Sequence, residues 1–453
     1  MSAVFSGQTK GALLRASRLI RPDPGTTELL GTTGVVVLLV LAWIRVTFPQ
    51  LIQILQNGRP VFNSAAETMP PAGRVLGDVT TAAFIGLALL LTAYGLRQRR
   101  PDRLWALVVV LAPLAAIHLA GLVNGQPLGP VSLALPIAVV AIWVVRPGAQ
   151  ALAAIGVLGA ATAVVAMLLA VVRPDLGLLT GEDAGNKGWA IGGLLSGPYP
   201  HSNVLGLILA LSLPFVFGIR STATRRVTLA LILIALLWTG SRTSQLAAIV
   251  VLLTWGLLRW RIGGRADRPG RGSRRHLSML IGVPLVVALG LIVLCPLLTT
   301  DPAGFTNRGR TWRALLSRWA ERPLTGHGPE YFERQPDLAA ALGGRYTHGH
   351  NVLVHLLTVG GLLAVVLFAV LLYQVWRRSM FLAGAGTPGP ALFLIALLWV
   401  SWLEASHVSV TLAGFLTWLP LALVVRAELP SPAPELPSPA PERTTESEDQ
   451  DVP

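Results

Sequence analysis

Cysteine is nearly missing from this chain: Cys295 is the only one among 453 residues. That excludes a disulfide within the chain and any metal site built from paired cysteines. Charge is scarce as well, at 13% of residues against roughly 25% in a soluble domain. Acidic residues are the scarcer sign, 22 against 36 Lys and Arg, which leaves a net charge of +14. No Walker motif, dinucleotide fingerprint or HExxH zinc motif occurs, so the signatures of nucleotide-driven and zinc-peptidase chemistry are missing. No aspartate pair of the kind that holds a divalent ion stands out in the polar links, and we expect a site without metal or cofactor.

What fills the chain instead is apolar sequence. Hydrophobic residues make up 53% of it and the mean hydropathy is +0.62. A transmembrane helix needs roughly 20 mainly apolar residues. Candidate spans lie at about 30–48, 79–96, 104–123, 130–146, 150–172, 203–219, 227–240, 244–260, 278–298, 351–375, 390–407 and 411–426. The expected fold is an all-α, multi-pass integral membrane protein with about twelve transmembrane helices. The first run starts near Leu29 and lacks a small-residue cleavage site, which reads as a retained helix.

The positive charge does not point to nucleic acid. Most basic residues stand in short links between apolar runs, where they orient helices. With a cytoplasmic N-terminus, the inner links receive Lys10 to Arg21, Arg97 to Arg103, Arg146, Arg220 to Arg226, the cluster Arg259 to Arg275, and Arg377 and Arg378. Outer links before residue 299 hold only Arg59, Arg74, Arg173, Lys187 and Arg242. This bias predicts both termini in the cytoplasm. The expected organisation is a cytoplasmic segment 1–28, a membrane domain 29–426 and a Pro-rich, disordered cytoplasmic tail 427–453.

One outer segment breaks the charge rule. Residues 299–350 carry Arg308, Arg310, Arg313, Arg318, Arg322, Arg334 and Arg345. Long loops translocate regardless of charge, so these cations need another account, and an anionic ligand is the natural one. Trp312, Leu315, Leu316 and Trp319 recur at helical spacing, which predicts an amphipathic helix in the membrane interface with its tryptophans toward lipid. The alternative is that its arginines only touch lipid phosphate. Arg242 interrupts two apolar runs with no acidic neighbour in sequence, and an unpaired cation near membrane depth marks a functional or paired site. His350 and Asn351 open the tenth run, with His348 as a rival at the same place and His201 at the start of the sixth. A histidine can take a proton from an attacking hydroxyl near pH 7. His118, Glu404 and His407 read as packed residues, although Glu404 and His407 lie near the outer end of the eleventh run and could line the cavity.

These residues together carry a resemblance. Thr239-Gly240-Ser241-Arg242-Thr243 before an apolar helix, Arg308-x-x-x-Trp312, PLTGHGPEYF at 323–332 and His348-Gly349-His350-Asn351 resemble the bacterial O-antigen ligase and polymerase family. That family's signature is His-Asn, nine residues, then Gly-x-x-Gly. Here His350-Asn351 is followed by nine residues and Gly361-Leu362-Leu363-Ala364, with alanine in the last place and Val359 where glutamate is frequent. PHSN at 200–203 resembles another family segment, and the likeness spans about 200–365.

The resemblance implies a GT-C-like glycosyltransferase bundle with a large extracytoplasmic loop in the cytoplasmic membrane. The donor would be a glycan on a polyprenyl diphosphate, and the acceptor a hydroxyl on a lipid, glycan or protein. Arg242 and Arg308 would grip the diphosphate, with Arg310 as a substitute for Arg308. His201, His348 and Asn351 would line the substrate site, and His350 would act as the base in an inverting displacement. Ligase and polymerase differ only in the acceptor, and no residue separates them. A secondary transporter, or an export protein that merely holds glycan, is the alternative outside enzymology.

Overall fold

The computed structural model describes residues 24–58, 69–98, 104–148, 150–181, 192–263, 271–335 and 348–426. The expectations for residues 1–23, Arg59, Lys187, Arg345 and the tail from 427 fall outside the described residues. The helices that carry the apolar runs are α1 (Pro24–Asn57), α2 (Pro71–Gln98), α3 (Leu104–Val123), α4 (Pro130–Val145), α5 (Gln150–Val172) and α6 (Ser202–Val216). They continue as α7 (Thr222–Trp238), α8 (Arg242–Gly263) and α9 (Arg271–Leu298). After the amphipathic α10 (Gly304–Trp319) come α11 (Val352–Gly384), α12 (Gly389–Ser401) and α13 (Phe415–Arg426).

Each of the twelve apolar runs falls mainly on a helix, and those at 203–219, 227–240, 390–407 and 411–426 extend beyond theirs. Seven helices, α1, α2, α3, α5, α8, α9 and α11, are long and apolar enough to cross a bilayer. Four shorter apolar helices, α4, α6, α12 and α13, complete the bundle with α7. The chain is therefore an integral membrane protein, almost wholly helical. Its only described strands, β1 (Leu178–Leu179) and β2 (Leu194–Leu195), form a small antiparallel hairpin in the link between α5 and α6.

The core is organised around α12. Every one of its residues is buried, and it packs against α6, α8, α9 and α11. A helix apolar on all sides belongs inside a bundle. It is shorter than the apolar run that encodes it, which continues to about residue 407. The helix ends at Ser401, whose hydroxyl donates to the Leu397 carbonyl at 2.6 Å and contacts His407 Nε2 at 3.0 Å. Two short 3-10 turns at 406–408 and 412–414 then lead to α13.

A second feature positions the loop after α9. Helix α11 is interrupted at Gly361, which takes φ 63° and ψ −167°. In a bilayer the backbone groups freed by such a break must find partners within the protein. The PLTGHG stretch supplies them. Leu362 and Leu363 donate to the Pro323 and Leu324 carbonyls at 2.8 and 3.2 Å, while His327 and Gly328 donate to Thr358 and Val359 at 2.8 and 2.9 Å. Asn124 and Gln126, just past α3, hold the same stretch through the Gly326 and His327 carbonyls at 3.2 and 2.8 Å. Backbones this close leave no room for a side chain: a Cβ on Gly326 would lie 2.6 Å from the Gly361 nitrogen.

Gly361→Ala adds a positive-φ penalty to a collision with the Leu324 carbonyl. It should cost about 3 kcal/mol or more, read as a lower thermal midpoint in detergent. Gly86→Ala in α2 meets nothing within 4 Å and should shift stability by no more than about 1 kcal/mol, upward if at all. Equal losses in the two variants would contradict this account of the break.

Candidate active site

Helix α12 delivers its chain into the space where α6, α10 and α11 begin, and Glu404 is the residue that arrives there. Its carboxylate gathers groups from three other segments. Arg308 Nη2 donates to Oε1 at 2.9 Å, and His348 Nε2 lies 3.0 Å from Oε2. His350 Nδ1 is 3.9 Å from the same Oε2, and Asn203 Nδ2 makes a long contact to Oε1 at 3.5 Å. The His348 and His350 rings lie 4.3 Å apart between centroids. Residues separated by up to 201 positions thus meet on one buried carboxylate.

Arg308 is set by unusual backbone. Phe305, Thr306 and Asn307, immediately before it, have φ of 54°, 61° and 66°, and His350 has φ 51°. Left-handed conformations cost non-glycine residues about 1–2 kcal/mol each, and such strain concentrates at functional sites. Four of the five non-glycine residues with positive φ among the described residues lie at this cluster, Arg146 being the other. The Arg308 guanidinium uses Nη2 on Glu404 and Nη1 on the Phe305 carbonyl, at 3.3 Å, while its buried Nε has no partner. Donor capacity remains for a ligand.

Asn351 holds the front of α11 in place. As N-cap its Oδ1 accepts from the Leu353 and Val354 N–H groups at 2.9 and 3.2 Å. Its Nδ2 donates to the Ile292 and Trp402 carbonyls at 3.0 and 3.1 Å. Pro296 lacks the N–H that would bind the Ile292 carbonyl within α9, so Asn351 takes the acceptor that the proline leaves open. With its hydrogen-bonding capacity used in this way, Asn351 positions its neighbours His348 and His350.

The other expected residues are more dispersed. His201 caps α6, its Nδ1 accepting from Asn203 N–H at 3.0 Å. Arg242 is the first residue of α8 and exposed. The start of α8 lies beside that of α6, since a Cβ on Gly206 would be 2.7 Å from Ser241 Cβ. Arg310 is exposed; its backbone N–H donates to the Pro302 carbonyl at 3.0 Å, and its side chain points away from the Glu404 cluster's contacts. The helix that carries it departs from its expected orientation. Trp312 is 0% exposed and packs with Leu315, Tyr331, Val354 and Leu403. The apolar side of α10 faces protein, not lipid, and Arg310, Arg313 and Arg318 face outward while Arg308 turns in to Glu404, because α11 and the link after α12 give the tryptophan a closer apolar partner.

The charges settle one another. Burial alone would raise the Glu404 carboxyl, but the His348 hydrogen bond and the nearby His348, His350 and Arg308 charges hold it well below the usual carboxylate range. His350 is pushed down to about 3, first by burial, then by His348, with Arg308 and His201 adding to this and Glu404 opposing it. The cluster is an ionised Arg308–Glu404 pair beside a neutral His350. His348, His350 and Glu404 place possible ligand atoms within 4.8 Å of one another. The permanent charge of Arg308 on the same carboxylate makes that donor set a poor one for a cation, and no step is derived through a metal.

Residues 227–369 match the family model described as O-Antigen ligase. Over that stretch, about a third of the chain, the protein is similar to the O-antigen ligase family. The ligase match runs from α7 into α11 and contains Arg242, Arg308, Arg310, His348, His350 and Asn351. The match supports a glycan-transfer role connected with cell-surface polysaccharide. No curated protein gives a significant match. His201 and Glu404 lie outside the ligase match, and Glu404, read from the sequence as a packed residue that could line the cavity, stands at the centre of the cluster. The signal was there: it is the only acidic residue between Asp337 and Glu428. A lone carboxylate in so apolar a stretch is by default paired or functional.

Asn351→Ala strands two buried carbonyls and two helix-start N–H groups. It should lower stability by about 3–5 kcal/mol, measured by thermal unfolding in detergent. His350→Ala should lower it far less, and a comparable loss would mean that Asn351 is not the structural anchor.

Proposed function

We propose that this protein transfers a glycan from a polyprenyl-diphosphate carrier to an acceptor hydroxyl at the extracytoplasmic face of the cytoplasmic membrane. The observation that carries the reading is a buried guanidinium with unused donors next to a histidine pair, joined through one carboxylate. The guanidinium suits a diphosphate because it stays charged and binds phosphate oxygens with two N–H groups. The histidine suits a hydroxyl because its neutral ring can accept the proton.

The reaction is a single displacement. His350 takes the proton of the acceptor hydroxyl as that oxygen bonds to the anomeric carbon from the face opposite the diphosphate. The anomeric C–O bond breaks, its electron pair leaves on the diphosphate, and the configuration inverts. Arg308, with Arg242 from the start of α8, stabilises the charge that gathers on the leaving group. Such stabilisation is usually the largest single term in catalysis. Arg310 serves the approach of the anion. The acceptor is a lipid, glycan or protein hydroxyl, and a second lipid-linked unit would make the same chemistry a polymerase.

Twelve crossings with both termini in the cytoplasm are supported by the charge bias of the links and by the gathering of site residues at one end of the bundle. With Cys295 replaced by serine, a cysteine at Arg313→Cys should react with a membrane-impermeant maleimide in intact cells. A cysteine at Arg377→Cys should react only after permeabilisation. The reverse pattern would invert the topology.

Purified protein in nanodiscs, given lipid-linked glycan and candidate acceptors, should transfer glycan. His350→Ala should lose about 100-fold or more in rate, and Arg308→Lys should not rescue the loss from Arg308→Ala, because one ammonium cannot replace a two-pronged donor. Protonation of His350 removes the base, so activity falls as pH drops through its pKa. With that pKa near 3 in the donor-free protein, against an ordinary 6.5, kcat/KM should stay flat from about pH 8 to about pH 5. A one-proton limb near 6.5 in kcat/KM would contradict the assignment.

A further inference from the structure

The pairing of Arg308 with Glu404 poses a question for the reading above, on which the following rests. Arg308 cannot give its full donor set to a diphosphate while Glu404 holds it. Glu404 Oε1, 2.9 Å from Nη2, takes one of the two N–H groups there and with it one of the two double-donor edges of the guanidinium. A diphosphate on Arg308 would also stand close to the Glu404 carboxylate, and like charges at that range repel strongly inside a protein. The side chains of Arg308 and Glu404 are only 17% and 9% exposed, so water screens little of this.

We infer that Glu404 is a positioning residue that exchanges partners, holding Arg308 in the empty site and yielding it to the donor diphosphate, so that the freed carboxylate serves His348 and His350. The second half of the exchange is already laid out. Oε2 has His348 Nε2 at 3.0 Å and His350 Nδ1 at 3.9 Å, so no large movement is needed to bring the carboxylate to the ring.

The exchange makes the base depend on the donor. In the empty site, burial, His348, Arg308 and His201 all disfavour a proton on His350, and only Glu404 favours one. His407 and His355, on the neighbouring turn and on α11, are buried beside the same charges. A diphosphate neutralises Arg308 and leaves Glu404 uncompensated, and both changes strengthen His350 as a base. The enzyme then activates an acceptor hydroxyl, or water, only after the donor is seated. This orders the substrates and limits waste of the donor by hydrolysis.

The test uses full-length protein in nanodiscs, with polyprenyl diphosphate lacking a glycan as the binding probe and lipid-linked glycan for turnover. Glu404→Gln removes the competing charge, so it should bind the probe about tenfold tighter while kcat falls about 100-fold. Glu404→Asp should restore part of kcat. In wild type the acid limb of kcat, which reports the donor complex, should lie at higher pH than that of kcat/KM, and Glu404→Gln should lose the separation. Weaker or unchanged probe binding in Glu404→Gln, or wild-type turnover, would overturn the exchange while leaving the transferase in place. Should Glu404→Gln not fold, coincident kcat and kcat/KM limbs in wild type would overturn it. A wild type that neither binds the probe nor transfers glycan overturns both readings.

Discussion

A carboxylate buried at the end of an apolar helix is the constraint from which the arrangement around it follows. Glu404 reaches the meeting point of α6, α10 and α11 because α12 is short, wholly buried and central. An isolated charge there would be prohibitive, so the ionised form requires a cation and donors at hydrogen-bonding distance. Arg308 and His348 provide them. Arg308 in turn is placed by three consecutive left-handed residues and by the burial of Trp312 one turn later. The catalytic reading is thus inseparable from an ion pair that also holds the loop to the bundle.

Broken helices supply the second constraint. Pro296 in α9, Gly361 in α11 and the stop at Ser401 in α12 each free backbone groups that a bilayer would leave unsatisfied. The segment between α9 and α11 answers all three, PLTGHG by pairing with the interruption in α11, and Asn351 by taking the Ile292 and Trp402 carbonyls. A loop whose backbone is committed in this way is not a free lid. Its described part belongs to the scaffold, which is how a polar, arginine-rich stretch can place Arg308 and His348 on one carboxylate.

Much of this was legible in the residues. The apolar runs marked the seven helices long and apolar enough to cross a bilayer, because a bilayer imposes a length and a composition that single residues report directly. The family motifs marked Arg242, Arg308 and the His350-Asn351 pair, and the ligase match covers the same stretch. Less legible was the orientation of α10. Its periodicity is the same whether the tryptophans meet lipid or protein, since both are apolar. The role of Asn351 was also hidden, because the carbonyls it satisfies belong to Trp402 and Ile292, 51 and 59 residues away.

What the sequence by itself determined is the class of molecule, the placing of its helices and the identity of the motif residues, all of which rest on local composition and spacing. Only the tertiary structure decided that Glu404 joins Arg308, His348 and His350, that Asn351 is consumed as an anchor, and that Arg310 stands apart from the cluster. The reason is physical. Helix formation and membrane insertion are written in contiguous stretches, whereas the partner of a buried charge is chosen by which helix ends the packing brings together.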